Sequence, residues 1–120
     1  MMEATIIALI IFYARKDLTK EEIIEKLNIK YSYKPFEKFN LTCHETIDNC
    51  LYALFTSNSF EEAIRKVISY GGDTDTNACI TGSMAEALYG IDESLIEQAS
   101  KKIPSQFVKK LKIGYSKIIN

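Results

Sequence analysis

Metal-thiolate and thiol-redox chemistry lack their usual spacing here, because the three cysteines, Cys43, Cys50 and Cys79, form no CxxC pair. An odd number of thiols in or near apolar runs reads as buried free cysteines in a reducing cytosol. An excess of charge of one sign is also missing. The 15 Lys+Arg nearly cancel the 16 Asp+Glu, and with no basic face or acidic tail the expected partners include neither nucleic acid nor a membrane. Nor is there a long apolar run. The stretch from Ala4 to Ala14 is almost wholly apolar but shorter than the roughly 20 residues that cross a bilayer, and it lacks the basic start and small-residue cleavage site of a signal peptide. A cytoplasmic location is expected. Histidine is scarce: His44 stands alone just before a helix, where a structural hydrogen bonder is the expected role. Alternating strand patterns, internal repeats and low-complexity segments are absent.

What is present is helical periodicity. At 120 residues, 47% of them hydrophobic, the chain is long enough for one domain with its own core. The first helix, from about Glu3 to Arg15, is apolar on nearly every side, with Ala4, Ile7, Ala8, Ile11 and Phe12 on one face and Ile6, Leu9, Ile10 and Tyr13 over much of the rest. Such a helix is normally surrounded by protein, so it is expected either at the centre of a small bundle or with its far side covered by a second subunit or a further segment. Thr19-Lys20-Glu21-Glu22 is a capping-box pattern that opens a short helix through about Leu27. From Asn28 to Thr42 the period is lost, and Tyr31, Tyr33, Phe36 and Phe39 around Pro35 are expected to pack down a loop. A third helix carries Ile47, Cys50, Leu51, Leu54 and Phe55 on one stripe. Ser59-Phe60-Glu61-Glu62 is a second capping box, and its helix closes at Gly71-Gly72. A helix from about Thr76 to Tyr89 follows, with Ala78, Gly82 and Ala85 permitting close backbone approach. Asp92 caps the next through about Ile103, and Pro104-Ser105 begins the last. The expected fold is all-α, a compact multi-helix bundle of about six helices.

The stretch that looks most like a site is Gly71-Gly72-Asp73-Thr74-Asp75-Thr76. In an extended or turn-like backbone the carboxylates of Asp73 and Asp75 would converge on one cation, with the Thr76 hydroxyl as a third donor. Hard oxygens of this kind suit magnesium, manganese or calcium rather than zinc. The glycines would let a ligand or a metal-bound water approach the backbone. The competing reading is that the aspartates and threonines cap the following helix. An EF-hand is excluded, since its sixth and twelfth positions would be Ala78 and Met84. A phosphatase-like Asp-x-Asp-x-Thr is excluded because Asn77 stands where the threonine would be.

In order, the segment Ser59 to Arg65, the Gly71-to-Thr76 turn and the helix from Ile80 to Ile91 resemble the C-terminal half of the ADP-ribosylglycohydrolase family. The resemblance implies an all-α fold and a pair of Mg2+ or Mn2+ ions, which serve hydrolysis of a glycosidic bond between ADP-ribose and an acceptor. On the matching positions it implies Asp73, Asp75 and Thr76 as metal ligands, with Gly72 and Thr46 near bound substrate. It assigns no catalytic residue in this chain, because the family's glutamate and Thr-Asp-Asp cluster come from an N-terminal half that finds no match here. Residues 1–120 are thus expected to form a single truncated domain. Two cations want about six oxygens each, more than two carboxylates and a hydroxyl supply. The implied partners are ADP-ribose or an ADP-ribosylated substrate, and a complementary chain or a second copy over the first helix. The alternative is a catalytically inactive helical domain used for binding or assembly.

Overall fold

Two of the helix starts follow from local hydrogen bonding. Thr19 has extended backbone and its side chain accepts from the Glu22 amide, while the Glu22 carboxylate accepts from the Thr19 amide at 3.1 Å. Ser59 repeats half of this: its hydroxyl accepts from the Glu22-like Glu62 amide, whereas the Glu62 carboxylate takes the amide of Asn58, one residue further back than the full box requires. The computed structural model describes residues 2–31 and 43–119. Among them are seven helices: α1 (Met2–Arg15), α2 (Lys20–Leu27), α3 (Cys43–Phe55), α4 (Phe60–Ser69), α5 (Thr74–Tyr89), α6 (Glu93–Ser100) and α7 (Ser105–Ile119). No strand occurs among the described residues. The fold is all-α, and the seven helices are the segments expected from the sequence, one more than the count of about six. Tyr33, Phe36 and Phe39 lie outside the described residues, but Tyr31 does pack on other aromatics, its ring 5.6 Å from that of Phe55 and 6.0 Å from that of Tyr52.

The helices fall into two units, one ending at Gly90 and one beginning at Ile91. In the first, α5 packs against α1, α3 and α4. Its buried positions Asn77, Thr81, Met84 and Ala85 meet a core of Ile10, Ile23, Cys50, Leu54, Ala63 and Val67, all fully buried. Each large aliphatic in that set contributes about 1.5–3 kcal/mol through burial. Helix α1 buries Ile10 and Ala14 and leaves Phe12 half exposed, so its apolar surface is used unevenly rather than all round. Cys79 corrects the expectation of buried thiols. It is exposed, because the buried stripe of α5 runs through Asn77, Thr81 and Ala85 and turns Cys79 outward. Cys50 is buried as expected.

Helix α3 ends inside this unit without a basic residue in its last turn. The carbonyls there are met by three other helices. The Tyr89 hydroxyl of α5 lies 2.6 Å from the Leu54 carbonyl and 2.7 Å from that of Ser57. Lys20 of α2 donates to the Ser57 carbonyl at 2.8 Å, and Lys66 of α4 to that of Thr56 at 2.7 Å. Tyr89 is held neutral: burial first, then the negative charges of Glu21 and Glu62, push its hydroxyl up to about 12 from the ordinary 10.0. A raised native pKa means that the folded state holds this proton more tightly, so its contribution is complete below pH 10 and is lost as pH rises from there to about 12. Tyr89→Phe should therefore cost about 1–2 kcal/mol near neutrality, where the Leu54 carbonyl loses its side-chain donor while Lys20 still serves that of Ser57. The gap between wild type and variant in urea unfolding should narrow between pH 10 and pH 12, and an unchanged gap would contradict this placement of the hydroxyl.

Gly82 of α5 faces Phe60 and Ile64 of α4. A Cβ built there would lie 3.3 Å from Ile64 Cδ1 and 3.6 Å from the Phe60 ring. Alanine is accommodated by a small shift of the flexible Ile64 methyl, and its gain in helix propensity of up to about 1 kcal/mol offsets the crowding. Gly82→Ala should thus stay near wild-type stability, whereas Gly82→Leu should lose about 1–3 kcal/mol by overpacking. Thermal unfolding of both variants checks the pair.

Candidate functional site

The reversal between α4 and α5 depends on two residues without side chains. Gly71 and Gly72 have φ of 78° and 75°, a left-handed region that other residues enter only with strain. Tyr70 closes α4, the Gly71 amide bonds back to the Ile68 carbonyl at 3.1 Å, and the Thr74 amide bonds to the Gly72 carbonyl at 3.0 Å. The chain then enters α5 with Asp73 as its N-cap.

This start differs from the expected one by two residues. Helix α5 begins at Thr74 rather than about Thr76, so no extended segment links Asp73 to Asp75. The cause is the cap itself. One Asp73 oxygen accepts from the Thr76 amide at 3.3 Å and the other from the Thr76 hydroxyl at 2.7 Å, and the Asp73 carbonyl takes the Asn77 amide at 3.0 Å. Asp75 falls in the first helical turn, where the positive end of the helix dipole favours a carboxylate. The capping arrangement is therefore realised. It leaves room for ligation as well, since a carboxylate offers about four lone-pair sites and Thr76 uses two of those on Asp73. Thr76 spends its only hydroxyl hydrogen on Asp73, which leaves its oxygen lone pairs available. Asp73, Asp75 and Thr76 are all exposed.

The donors thus fit magnesium or manganese in kind, all being hard oxygens. In number they fall short: among the described residues no group of three His, Cys, Asp or Glu side chains could hold a metal ion.

Thr46 lies in the first part of α3 and is half-buried. The Cys50 thiol donates to the Asn77 carbonyl at 3.7 Å, and Tyr89 reaches Leu54 and Ser57 further along. Contacts that advance together along both helices mean that α3 and α5 run in the same sense. Their starting turns, with Thr46 on one and Asp73 to Thr76 on the other, therefore share one end of the unit. No hydrogen bond joins Thr46 to that turn among the described residues. His44 is in the first turn of α3, and its side chain lies outside the described residues.

Two buried side chains near this end received no role from sequence. Asn77 and Thr81 are 3% and 0% exposed, and Asn77 Oδ1 and Thr81 Oγ1 have no hydrogen-bond partner among the described residues. Burial pushes the neighbouring Cys50 thiol up, and the Thr81 hydroxyl beside it offsets part of that rise. The available signal was their spacing, since Asn77 and Thr81 are four apart on the stripe that continues to Ala85.

Comparisons with known proteins concern the chain as a whole. A 67-residue stretch is 34% identical to an ADP-ribosylarginine hydrolase of Pseudomonas putida, covering 56% of this chain and 18% of that protein. A stretch of the same length is 30% identical to the ADP-ribosyl-[dinitrogen reductase] glycohydrolase of Rhodospirillum rubrum, covering 56% of this chain and 20% of the relative. A further 39 residues, 32% of the chain, are 51% identical to an Acanthamoeba polyphaga mimivirus protein that bears the family's name, of which they cover 12%. The matched stretches thus span a fifth or less of each relative's length. No solved structure matches the chain significantly. The ADP-ribosylglycohydrolase family as a whole matches residues 3–118, nearly the entire sequence, and the chain belongs to that family.

Proposed function

We propose that this chain supplies part of a divalent-cation site in an enzyme that hydrolyses the glycosidic bond between ADP-ribose and an acceptor. The observation that carries the reading is the exposed first turn of α5. There Asp73, Asp75 and Thr76 present hard oxygens behind a Gly71-Gly72 reversal, in a chain that matches the family over residues 3–118. The relatives are named for ADP-ribosylarginine and for ADP-ribosylated dinitrogen reductase, which supports an ADP-ribosylated substrate class.

In this reading Asp73 has two tasks. It fixes the start of α5 through Thr76, and its free lone pairs face a cation. Asp75 adds a second negative charge, and Thr76 a neutral oxygen whose direction is set by its bond to Asp73. A Mg2+ or Mn2+ ion, when bound, would supply charge to hold ribose hydroxyls and activate a water. Gly72 leaves the turn without side-chain bulk, and Thr46 stands at the same end for contact with substrate. The donors still needed come from elsewhere, in a complementary chain or another part of the same protein, which also covers α1. The general acid or base is not assigned to this chain.

A second reading rests on Asp73 itself. Both of its oxygens are engaged by Thr76, as they would be in an inactive domain that keeps the turn only to start a helix.

The two readings part on one substitution. Asparagine caps a helix about as well as aspartate, while alanine costs about 0.5–2 kcal/mol. Asp73→Asn should therefore keep wild-type stability but weaken Mn2+ binding, followed by electron paramagnetic resonance, by at least about tenfold, or 1.4 kcal/mol. Asp73→Ala should lose both. Equal Mn2+ affinity in wild type and Asp73→Asn would leave only the capping role.

A further inference from the structure

We draw no further inference here: the strongest candidate, the groove beside the last turn of α5 lined by Asp17, Thr19, Lys20, Glu21, Asn58 and Tyr89, holds two carboxylates and a lysine whose ammonium already donates to the Ser57 carbonyl and to Asn58, and nothing among the described residues there points to a ligand.

Discussion

A helix that stops inside a protein leaves carbonyls that water reaches poorly, and the first unit is arranged around the end of α3 for that reason. Three helices send one side chain each to that point: Lys20 from α2, Lys66 from α4 and Tyr89 from α5. Each is drawn there by the cost of an unmet buried acceptor, about 1–3 kcal/mol. Lys20 also lies 5.8 Å from the centre of the Tyr89 ring, so the donors support one another. Because the three come from different elements, the end of α3 fixes the relative positions of α2, α4 and α5 without requiring any of them to be long.

This anchoring has a consequence at the opposite end of α5. With Tyr89 held on α3, and with Ile64 and Phe60 close against Gly82, the axis of α5 is set before its first turn is considered. The Gly71-Gly72 reversal then only has to connect α4 to a start already placed. That explains why the turn needs two left-handed residues in succession: both of its ends are fixed by packing, and the short link between them must take whatever backbone closes it. Asp73 follows as a cap of the helix so placed.

The local parts of this arrangement were legible in the sequence. Thr19 and Ser59 announce α2 and α4 through a hydroxyl and a glutamate three positions later, a signal that needs no tertiary contact, and Gly71-Gly72 announces the end of α4. The small residue Gly82 correctly marked the close approach of α5. The sequence alone puts the start of α5 two residues late, because Asp73 reads equally as ligand or cap, and a cap begins the helix directly after itself. Cys79 was placed inside because an apolar neighbourhood in sequence says nothing about which side of a helix faces the core. The convergence of Lys20, Lys66 and Tyr89 was not legible at all. Lysines and a tyrosine spread over seventy positions carry no local sign that they meet at one carbonyl cluster, and only the packed fold brings them together. The candidate site was legible as composition, Asp73, Asp75 and Thr76 behind two glycines, but its cap geometry was not.

The two ends of α5 differ in how fully their polar groups are met. At Tyr89 the hydroxyl lies against two carbonyls and each of these has a donor. Toward the other end, Asn77 Oδ1 is buried with no hydrogen-bond partner among the described residues, a lack that subtracts from stability, while the Thr81 hydroxyl has only the Cys50 thiol beside it. The least satisfied part of the helix is thus the part next to its exposed first turn. Local opening begins where interactions are fewest, and the exposed turn bearing Asp73, Asp75 and Thr76 is held by its own cap bonds rather than by side chains from other helices. A ligand that binds the ordered turn better than the opened one stabilises it by mass action, in proportion to the logarithm of its concentration over its dissociation constant.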